Sequence, residues 1–390
     1  MLAPFGIRPK GTLAARMLPL AQALARRGHR ISIVAPPVHN PEDAGRCAVY
    51  DDVLVIHTPL SVLPAPLGAF EQAVRLLQRV LAERPDVIHL FKPKGYSGLA
   101  ALMSRLVRPA PPLVVDTDDW EGWGGWNDLL PYPRLAKQLF AWQERDLPRR
   151  AAAVTVASRT LETQVWGFGV APERVFYLPN GIASSALRGG PTEDRHAQPD
   201  RQSSTLLLYT RFWEFDVREV VVALVAIASR CSTIRLLVVG RGERGEEREL
   251  LRLAHRAGVA AAIDYRGWVK PDAIPALLAA ADVGLVPMND TLINRARCSV
   301  KLLEMMAAGL PIVAARVGQA AEYIEHGQSG LLVPPGDPAA LAQAALRLLD
   351  DAALRARLGE GARARALHHF NWDHLAPQAE EAYDRSIRAT

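Results

Sequence analysis

Short apolar segments alternate with amphipathic helical segments along most of this chain. The first helical segment runs from about Leu13 to Arg27, stops at Gly28, and is followed by the apolar segment Ile31 to Ala35. The same order recurs many times, and each apolar segment leads into a polar or glycine-containing loop. Buried parallel sheets need this alternation, because helices cover both faces of their strands. The pattern predicts an α/β protein with doubly wound parallel sheets.

The alternation is interrupted between Ala183 and Ser204, where Ser, Gly, Pro and charged residues replace the apolar segments. A chain of 390 residues also exceeds one ordinary core. We therefore expect an N-terminal Rossmann-like domain over residues 1–182, a linker over 183–204 and a C-terminal Rossmann-like domain over 205–371.

Composition limits the environment of the protein. Its three cysteines, Cys47, Cys231 and Cys298, have no metal-ligand spacing and cannot all pair, which favours a reducing compartment. The longest apolar run, Val220 to Ala228, falls short of the roughly 18 residues that span a bilayer. We expect a cytoplasmic protein.

Charge limits the partners. The formal net charge is +5, and no acidic residue precedes Glu42. This excess suits phosphates or an acidic membrane surface. Nucleic acid is not expected, because the sequence contains neither a nucleic-acid-binding motif nor a long basic run. The basic first helix (Arg16, Arg26, Arg27) and the apolar segment Leu60 to Phe70 could rest on an anionic membrane, or could be an ordinary solvated face.

The segment from Ser299 to Ala314 has the order helix, stop, strand. The Ser299 hydroxyl can cap a helix that runs to Ala308. Gly309 permits the left-handed conformation after the last turn, and Pro311 prevents the helix from continuing. A short apolar strand follows.

Lys301 and Glu304 lie three residues apart and share one face near the amino end of this helix. The positive helix end beside a lysine suits a phosphate, and a carboxylate one turn later suits ribose hydroxyls. The alternative is a surface ion pair on an ordinary helix.

Polar residues also follow predicted strands of the first half. One strand ends at His89, and another leads into Asp116-Thr-Asp-Asp119. These residues are expected at one edge of a sheet, where ligands bind. Asp116 and Asp118 form an Asp-x-Asp that could hold Mg²⁺ or Mn²⁺. Three tryptophans follow, which could stack on a sugar or anchor a loop: Trp120, Trp123 and Trp126.

Several motifs, one before the linker and the others in the second half, fall in a fixed order. They are Leu178-Pro-Asn-Gly181, Arg211, Val239-Gly-Arg-Gly242, Ala281-Asp282, Lys301-Leu-Leu-Glu304-Met-Met-Ala-Ala-Gly-Leu-Pro311, Glu322 and Gly327-Gln-Ser-Gly-Leu-Leu-Val-Pro334. Together they resemble the retaining glycosyltransferases of the GT-B fold, specifically glycosyltransferase family 4 in its Ser-x-Lys-x-x-Glu variant. The first half is similar more loosely, through Gly28-His29, the segment Asp86 to His89, and Ser158.

The resemblance implies two Rossmann-like domains facing across a cleft, with the last helix (about 372–390) packing back on the first domain. It implies an enzyme that moves a sugar from a nucleotide-sugar donor, bound by the second domain, to a glycan, lipid-linked or small-molecule acceptor on the first. The nucleotide sugar is a co-substrate, and neither a cofactor nor a metal is expected. Such transfer belongs to cell-envelope or glycan biosynthesis, with peripheral contact at the inner face of the cell membrane left open.

The resemblance also implies roles for individual residues. Arg211 and Lys301 are expected on the diphosphate, Glu304 on the ribose, and His89 and Asp118 near the reacting sugar. The remaining donor-binding residues are Gly240, Trp268, Val269, Ser299 and Val300. The remaining acceptor-side residues are Lys10, Gly11, Asp119, Trp120 and Trp123.

Two positions depart from the family pattern. Ala296 stands where a glutamate is expected on the hydroxyls of the donor sugar, and Asp216 stands where a lysine is expected after Arg211. Two alternatives stay open, and these departures make the second of them credible. One is a nucleotide-sugar epimerase on the same fold, and the other is a nucleotide-sugar-binding protein without turnover.

Overall fold

The computed structural model of the protein describes residues 1–8, 11–183 and 204–389. The chain forms two compact units. Unit 1 contains Met1–Gly181, Ala296–Cys298 and Trp372–Thr390, and unit 2 contains Ile182–Arg295 and Ser299–Asn371. The predicted linker, apart from its end residues, and Lys10 lie outside the described residues. An acceptor role for unit 1 and a donor role for unit 2 stay predictions.

The strands of unit 1 are short and mostly buried. They are β1 (Ser32–Ala35), β2 (Cys47–Tyr50), β3 (Val53–His57), β4 (Ile88–Phe91), β5 (Leu113–Thr117), β6 (Ala153–Val156) and β7 (Val175–Tyr177). They pair in the orders β1-β3-β2 and β4-β5-β6-β7, and only β2 with β3 is antiparallel among these pairs. Leu2 bridges both Val34 of β1 and Leu90 of β4 in the parallel sense, so the first residues lie between the two groups of strands.

The helices of unit 1 cover these strands. A π-helical turn, Leu13–Met17, leads into α1 (Leu18–Arg26). The others before residue 182 are α2 (Leu67–Ala82), α3 (Gly95–Ser104), α4 (Trp126–Leu129), α5 (Arg134–Arg150) and α6 (Arg159–Gly167).

Unit 2 contains one fully parallel sheet. Its strands are β8 (Thr205–Tyr209), β9 (Arg235–Val239), β10 (Ile263–Gly267), β11 (Val283–Val286), β12 (Ile312–Ala315) and β13 (Leu331–Val333). The order across the sheet is β10-β9-β8-β11-β12-β13. Every neighbouring pair is parallel, so the carboxyl ends of all these strands lie at one edge.

The helices of unit 2 lie on both faces of its sheet, as a doubly wound fold requires. They are α7 (Val217–Ala228), α8 (Glu246–Arg256), α9 (Ile274–Ala279), α10 (Leu292–Ala296, whose last residue belongs to unit 1), α11 (Val300–Ala307), α12 (Gln319–Tyr323), α13 (Pro338–Asp350) and α14 (Ala352–His369). The buried side chains of α7, α8 and α13 form one apolar cluster with the strands, and those of α11 form another. The predicted α/β architecture is confirmed.

The last helix, α15 (Trp372–Arg388), belongs to unit 1. Trp372 is fully buried and stacks on the guanidinium of Arg16, whose Cζ lies 5.8 Å from the ring centroid. At the surface, Arg26 and Arg27 of the first helix pair with Asp373 and Glu380 of α15. Among the described helices, none is long and apolar enough to cross a membrane.

Candidate active site

Helix α11 begins as the sequence predicts. The Ser299 hydroxyl accepts a hydrogen bond from the backbone N–H of Leu302 at 3.3 Å, which caps the helix. The helix ends at Ala307, and Gly309 follows with a φ of +70°. Leu302, Leu303, Met305 and Met306 are buried, which leaves Lys301 and Glu304 on the partly exposed face. The amino end of α11 therefore presents a cation and an anion on one side.

The side chain that links Lys301 to Glu304 is Tyr209, the last residue of β8. The Lys301 ammonium lies 5.3 Å from the centroid of the tyrosine ring. The Tyr209 hydroxyl is hydrogen-bonded to the Glu304 carboxylate. Burial, together with this carboxylate, raises the pKa of Tyr209, so the hydroxyl stays a donor at neutral pH.

Arg211 follows β8 closely and is half exposed. Its guanidinium pairs with the Glu243 carboxylate at 3.0 Å, and both side chains are about half exposed, at 52% and 51%. Such a pair contributes only about 0–1 kcal/mol to stability, so a diphosphate could replace Glu243 as the partner of Arg211. The next residue, Phe212, is buried with a φ of +65°, a strained conformation held by its backbone N–H bond to the Thr210 hydroxyl at 2.7 Å.

Glycine is required at the end of β9. Gly240 has a φ of +128°, and a Cβ atom there would lie 1.8 Å from the carbonyl oxygen of Thr210. Its N–H donates to the carbonyl of Gly267 at 2.8 Å, which ties the end of β9 to the end of β10. Beyond β10, the Trp268 side chain is 69% exposed, whereas Val269 packs against the apolar cluster that contains α11. The predicted donor residues thus occupy neighbouring strand ends of unit 2.

The two departures from the family pattern have structural explanations. Ala296 is fully buried in the apolar core of unit 1, and its carbonyl accepts a hydrogen bond from the Ser158 hydroxyl at 2.7 Å. A glutamate at this position would place a charge in that core. Asp216 caps α7, because its carboxylate accepts from the N–H of Arg218 at 2.9 Å.

In unit 1, a buried lysine is surrounded by carboxylates. The Lys92 ammonium contacts Asp118 at 3.3 Å, Glu121 at 2.9 Å, and Asp119. Burial alone would lower the pKa of Lys92, but the three carboxylates raise it well above its ordinary value. Lys92 also has a φ of +55°, so both its backbone and its charge are held by the surrounding structure.

Asp118 lies at the centre of this group. Its other oxygen, Oδ2, accepts a hydrogen bond from the Thr12 hydroxyl at 3.0 Å. The pKa of Asp118 is raised to about 6, because the effect of burial exceeds the opposing effect of the Lys92 ammonium. Asp118 and Asp119 follow the carboxyl end of β5, and both contact Lys92. Gly11 lies beside Thr12 in the chain.

The Asp-x-Asp motif is held by cations. Asp116 is fully buried, and both its oxygens accept from the Arg16 guanidinium at 2.8 and 2.6 Å. Asp118 faces Lys92 as described above. Within residues 1–8, 11–183 and 204–389, no three His, Cys, Asp or Glu side chains are grouped to hold a metal ion. Both carboxylates of the Asp-x-Asp motif thus form ion pairs inside the unit.

His89 differs from its predicted position at a strand end. It is the second residue of β4 and only 2% exposed. One ring nitrogen bonds the Tyr383 hydroxyl at 2.9 Å and the other the Thr155 hydroxyl at 3.2 Å. Burial lowers the pKa of His89 to about 3, so the ring is neutral. Because both nitrogens are engaged inside the unit, the structure argues against contact between His89 and a sugar.

The glycine- and tryptophan-containing loop after Asp119 is anchored at several points. The Trp120 indole N–H donates to the carbonyl of Trp123 at 2.8 Å. The backbone N–H of Glu121 donates to the Glu144 carboxylate of α5 at 2.5 Å. Trp123 itself is 53% exposed. Trp120 therefore helps to fix the loop, whereas the Trp123 ring is accessible to a ligand.

We expect the Glu144→Gln variant to gain stability relative to the wild type as the pH rises from 5 to 8. Burial raises the pKa of Glu144 to about 7 from an ordinary 4.5, against the lowering effect of the backbone of Glu121 and Gly122. The protonated carboxyl thus stabilises the fold below about pH 4.5, and this contribution is lost as the pH rises through about 7. The difference in unfolding free energy between the variants should grow by on the order of 2 kcal/mol. Urea unfolding at both pH values measures it, and a pH-independent difference would contradict it.

Sequence reasoning misses the contacts of three groups that the structure joins to the predicted residues. The apolar pattern places Tyr209 at a strand end and gives it no role. Lys92 lies among polar loop residues, and no local pattern indicates that it is buried among carboxylates. The helical pattern assigns Arg16 to a basic surface, but this side chain is 1% exposed and paired with Asp116. In each case the partner is distant in the chain, so local periodicity carries no signal for the contact.

Comparisons with known proteins agree with this architecture. Residues 11–181 match the family described as glycosyl transferase 4-like domain. Residues 204–351 match glycosyl transferases group 1. The two matches follow each other along the chain and together cover most of it.

Curated relatives include three enzymes of related activity. The chain is 27% identical over 393 residues to phosphatidyl-myo-inositol mannosyltransferase of Mycobacterium leprae, covering 98% of this chain and 96% of the relative. It is 28% identical to a GDP-mannose-dependent alpha-(1-6)-phosphatidylinositol monomannoside mannosyltransferase of Mycobacterium tuberculosis, covering 92% and 90%. It is 34% identical over 240 residues to D-inositol 3-phosphate glycosyltransferase of Acidothermus cellulolyticus, covering 57% of this chain and about half (52%) of that relative.

Solved structures show the same fold. Sucrose-phosphate synthase from Thermosynechococcus elongatus superposes with a TM-score of 0.76 at 21% identity, covering 100% of this chain and 99% of the other. Anabaena Alr3699/HepE in complex with UDP-glucose superposes with a TM-score of 0.67 at 19% identity, covering 97% of each chain. The predicted family and fold are confirmed: the chain belongs to the family 4 glycosyltransferases and has their two-domain α/β GT-B fold.

Proposed function

We propose that this glycosyltransferase moves a sugar from a nucleotide-sugar donor to its acceptor with retention of anomeric configuration. The donor binds at the carboxyl edge of the unit 2 sheet. The observation that carries the proposal is the group formed by Lys301, Tyr209 and Glu304 at the Ser299-capped end of α11. The Lys301 cation and the helix dipole suit the phosphates of a nucleotide, and the Glu304 carboxylate, one turn later, suits its ribose.

Electrostatics supply the chemistry in this proposal. Negative charge develops on the diphosphate as it leaves the sugar, and Lys301, Arg211 and the helix end stabilise that charge. A leaving group stabilised in this way needs little covalent chemistry from the protein. Arg211 must first exchange Glu243 for the diphosphate, and that surface pair costs little to break.

A panel of nucleotide sugars tests the proposal. The purified protein is first screened by thermal shift against UDP-, GDP- and ADP-sugars, and the stabilising donor is then incubated with and without candidate acceptors. Formation of a glycoside plus free nucleoside diphosphate is expected. Conversion of the donor to its epimer without an acceptor would indicate an epimerase. Binding without turnover across the acceptor panel would indicate a binding protein, and the absence of any shift would contradict the donor site.

Relatives suggest the first donors and acceptors to try. One relative is named for GDP-mannose, and one solved structure contains UDP-glucose. Two relatives are named for phosphatidylinositol-type acceptors and one for inositol 3-phosphate. We propose a polyhydroxylated acceptor bound by unit 1 near Asp118, Asp119 and Trp123, and free inositol phosphates and lipid-linked glycans are the first acceptors to assay.

Transfer is expected to proceed unchanged in EDTA. The carboxylates of the Asp-x-Asp motif are engaged by Arg16 and Lys92, and the proposed site stabilises the leaving diphosphate with Lys301 and Arg211 instead of a metal. The rate is measured before and after exhaustive dialysis against EDTA. Loss of activity that Mg²⁺ or Mn²⁺ restores would overturn metal independence.

We also propose that unit 1 contacts a membrane through an apolar patch at the amino end of α2 and in the loop before it, consistent with a lipid-linked acceptor. Val62, Leu63, Leu67 and Phe70 are 92%, 49%, 64% and 58% exposed. Arg16, Arg26 and Arg27, for which the sequence leaves open a membrane face or a solvated face, are paired with Asp116, Asp373 and Glu380. The expected attraction is thus apolar rather than electrostatic.

Liposome flotation tests this contact. The protein should float with phosphatidylcholine vesicles nearly as well as with vesicles that contain acidic lipid, and the paired change Val62→Ser with Phe70→Ser should abolish flotation. Leu106→Ser is the control, because it changes another exposed apolar residue of unit 1 (83% exposed) and should leave flotation intact. Wild-type protein that stays at the bottom of the gradient would remove the proposal.

A further inference from the structure

Tyr209 makes contacts of two different kinds with the proposed donor-binding residues. Its ring lies under the Lys301 ammonium at 5.3 Å, and its hydroxyl is hydrogen-bonded to the Glu304 carboxylate. The ring also packs against the apolar cluster that holds α11. One side chain from the end of β8 therefore contacts both polar residues on the first turns of α11.

The contact with Glu304 fixes the direction of a carboxylate. A glutamate side chain has three rotatable bonds, and its freedom must be lost when it binds a ligand. A carboxylate has about four acceptor positions, so a bond from tyrosine leaves room for a pair of adjacent ribose hydroxyls.

The contact with Lys301 holds a cation without neutralising it. An ammonium above an aromatic face is attracted to the ring but keeps its full positive charge. A carboxylate in the place of the ring would compete with a phosphate for that charge. The tyrosine ring is thus a suitable partner for a lysine that must bind a diphosphate.

We propose that Tyr209 is a positioning residue for the nucleotide: its hydroxyl orients Glu304 toward the ribose, and its ring holds Lys301 at the diphosphate. This inference rests on the proposed function of the site. A residue that only filled the core would need the ring but not the hydroxyl, so the two parts of the side chain can be tested separately.

The test measures binding of GDP, UDP, ADP, their 2′,3′-dideoxy forms and GMP to the wild type, Tyr209→Phe and Tyr209→Leu by isothermal titration. Tyr209→Phe should weaken the ribonucleotides about tenfold to 100-fold, the loss expected for a hydrogen bond to a charged group. It should weaken the dideoxynucleotides less than about twofold, since they lack the hydroxyls that Glu304 is proposed to bind. Tyr209→Leu should in addition reduce the preference for GDP over GMP by about threefold, because the cation then loses its aromatic partner.

Tyr383→Phe is the matched control. It removes a buried tyrosine hydroxyl from unit 1, where that hydroxyl is bonded to His89. It should leave the ratio of ribonucleotide to dideoxynucleotide affinity unchanged, even if it lowers the thermal stability.

The outcomes separate this inference from the proposed function. If the wild type prefers the ribonucleotides and Tyr209→Phe keeps that preference, Tyr209 has no positioning role while the donor site stands. If Tyr209→Phe weakens both nucleotide forms equally, its role is structural and the inference fails. If the wild type binds none of GDP, UDP and ADP, the proposed function fails and this inference fails with it.

Discussion

Replacing Lys301 with alanine should lower the rate of sugar transfer about 100-fold or more, because removal of one preorganised charge from a developing anion typically has an effect of this size. The ammonium lies at the amino end of α11 and is held over the Tyr209 ring. The ring attracts the cation without removing its charge, so that charge can act on the departing diphosphate. The expected loss is in the turnover number, since the charge that Lys301 stabilises grows as the sugar leaves.

Stability should change much less than activity in this variant. Lys301 is partly exposed, and a cation above an aromatic ring at such a position contributes about 0.5–1 kcal/mol. Lys301→Met, which keeps most of the aliphatic chain, separates the loss of charge from the loss of packing. Lys137→Ala removes a lysine from α5 of unit 1 and should leave both rate and melting temperature near wild type.

The measurement is the initial rate of transfer at saturating donor, with melting temperatures recorded on the same preparations. If folded Lys301→Ala protein transfers sugar at the wild-type rate, the assignment of Lys301 to the diphosphate is wrong. A rate loss that Lys301→Met does not share would assign the effect to packing.

Local signals in the sequence are sufficient to predict α11. The cap at Ser299, the left-handed glycine at 309 and the stop at Pro311 each act within one turn, so their effect does not depend on the rest of the fold. The same holds for the short buried strands, whose apolar runs are visible without knowledge of their neighbours. Helix and strand alternation therefore predicts the fold class correctly.

Contacts between distant residues cannot be predicted in the same way. The amphipathic pattern around Arg16 indicates a basic surface, yet its partner Asp116 is 100 residues away. The sequence places His89 at the end of a strand, where it would be exposed, but β4 continues to Phe91 and buries it. A shift of two residues in a strand boundary thus changes a predicted ligand contact into an internal hydrogen bond.

The expected glutamate position illustrates a further limit. The family pattern gives a residue type for position 296, but the structure places that residue in the core of unit 1 rather than with the donor residues of unit 2. The sequence motif supplies spacing along the chain, and spacing alone does not tell which unit a loop residue packs against. The proposed donor site therefore lacks a glutamate from position 296, and the proposal needs other residues of this chain to recognise the sugar.

Asp116→Ala is expected to destabilise unit 1 by about 3–5 kcal/mol, the usual cost of removing one partner of a buried ion pair. The Arg16 guanidinium is 1% exposed, and Asp116 accepts two of its hydrogen bonds. Without the carboxylate, the remaining hydrogen bonds of the guanidinium to described residues are those to the Asn180 side chain at 3.0 Å and to the Leu178 carbonyl at 2.8 Å. Neither of these acceptors carries a charge, so the buried cation loses its hydrogen-bonded carboxylate and is compensated less well, by the charge of Asp118 and the Trp372 ring.

Asp373→Ala provides the matched control for this prediction. Asp373 also pairs with an arginine, Arg26, but the two side chains are 37% and 50% exposed. Loss of a surface pair of this kind should cost no more than about 1 kcal/mol. Unfolding in guanidinium chloride, followed by tryptophan fluorescence, suits the comparison. The signal reports mainly on unit 1, because Trp213 and Trp268 are the only two of the eight tryptophans that belong to unit 2.

A double variant distinguishes an uncompensated charge from lost packing. Arg16→Met with Asp116→Leu removes both charges and keeps much of the volume, so it should be more stable than Asp116→Ala alone. If charge is the cause, adding Arg16→Met to Asp116→Leu restores part of the unfolding free energy that Asp116→Leu alone loses. If instead the loss of unfolding free energy in the double variant equals the sum of the losses in the two single variants, the pair contributes through packing. Charge compensation by Asp116 would then not explain its effect on stability.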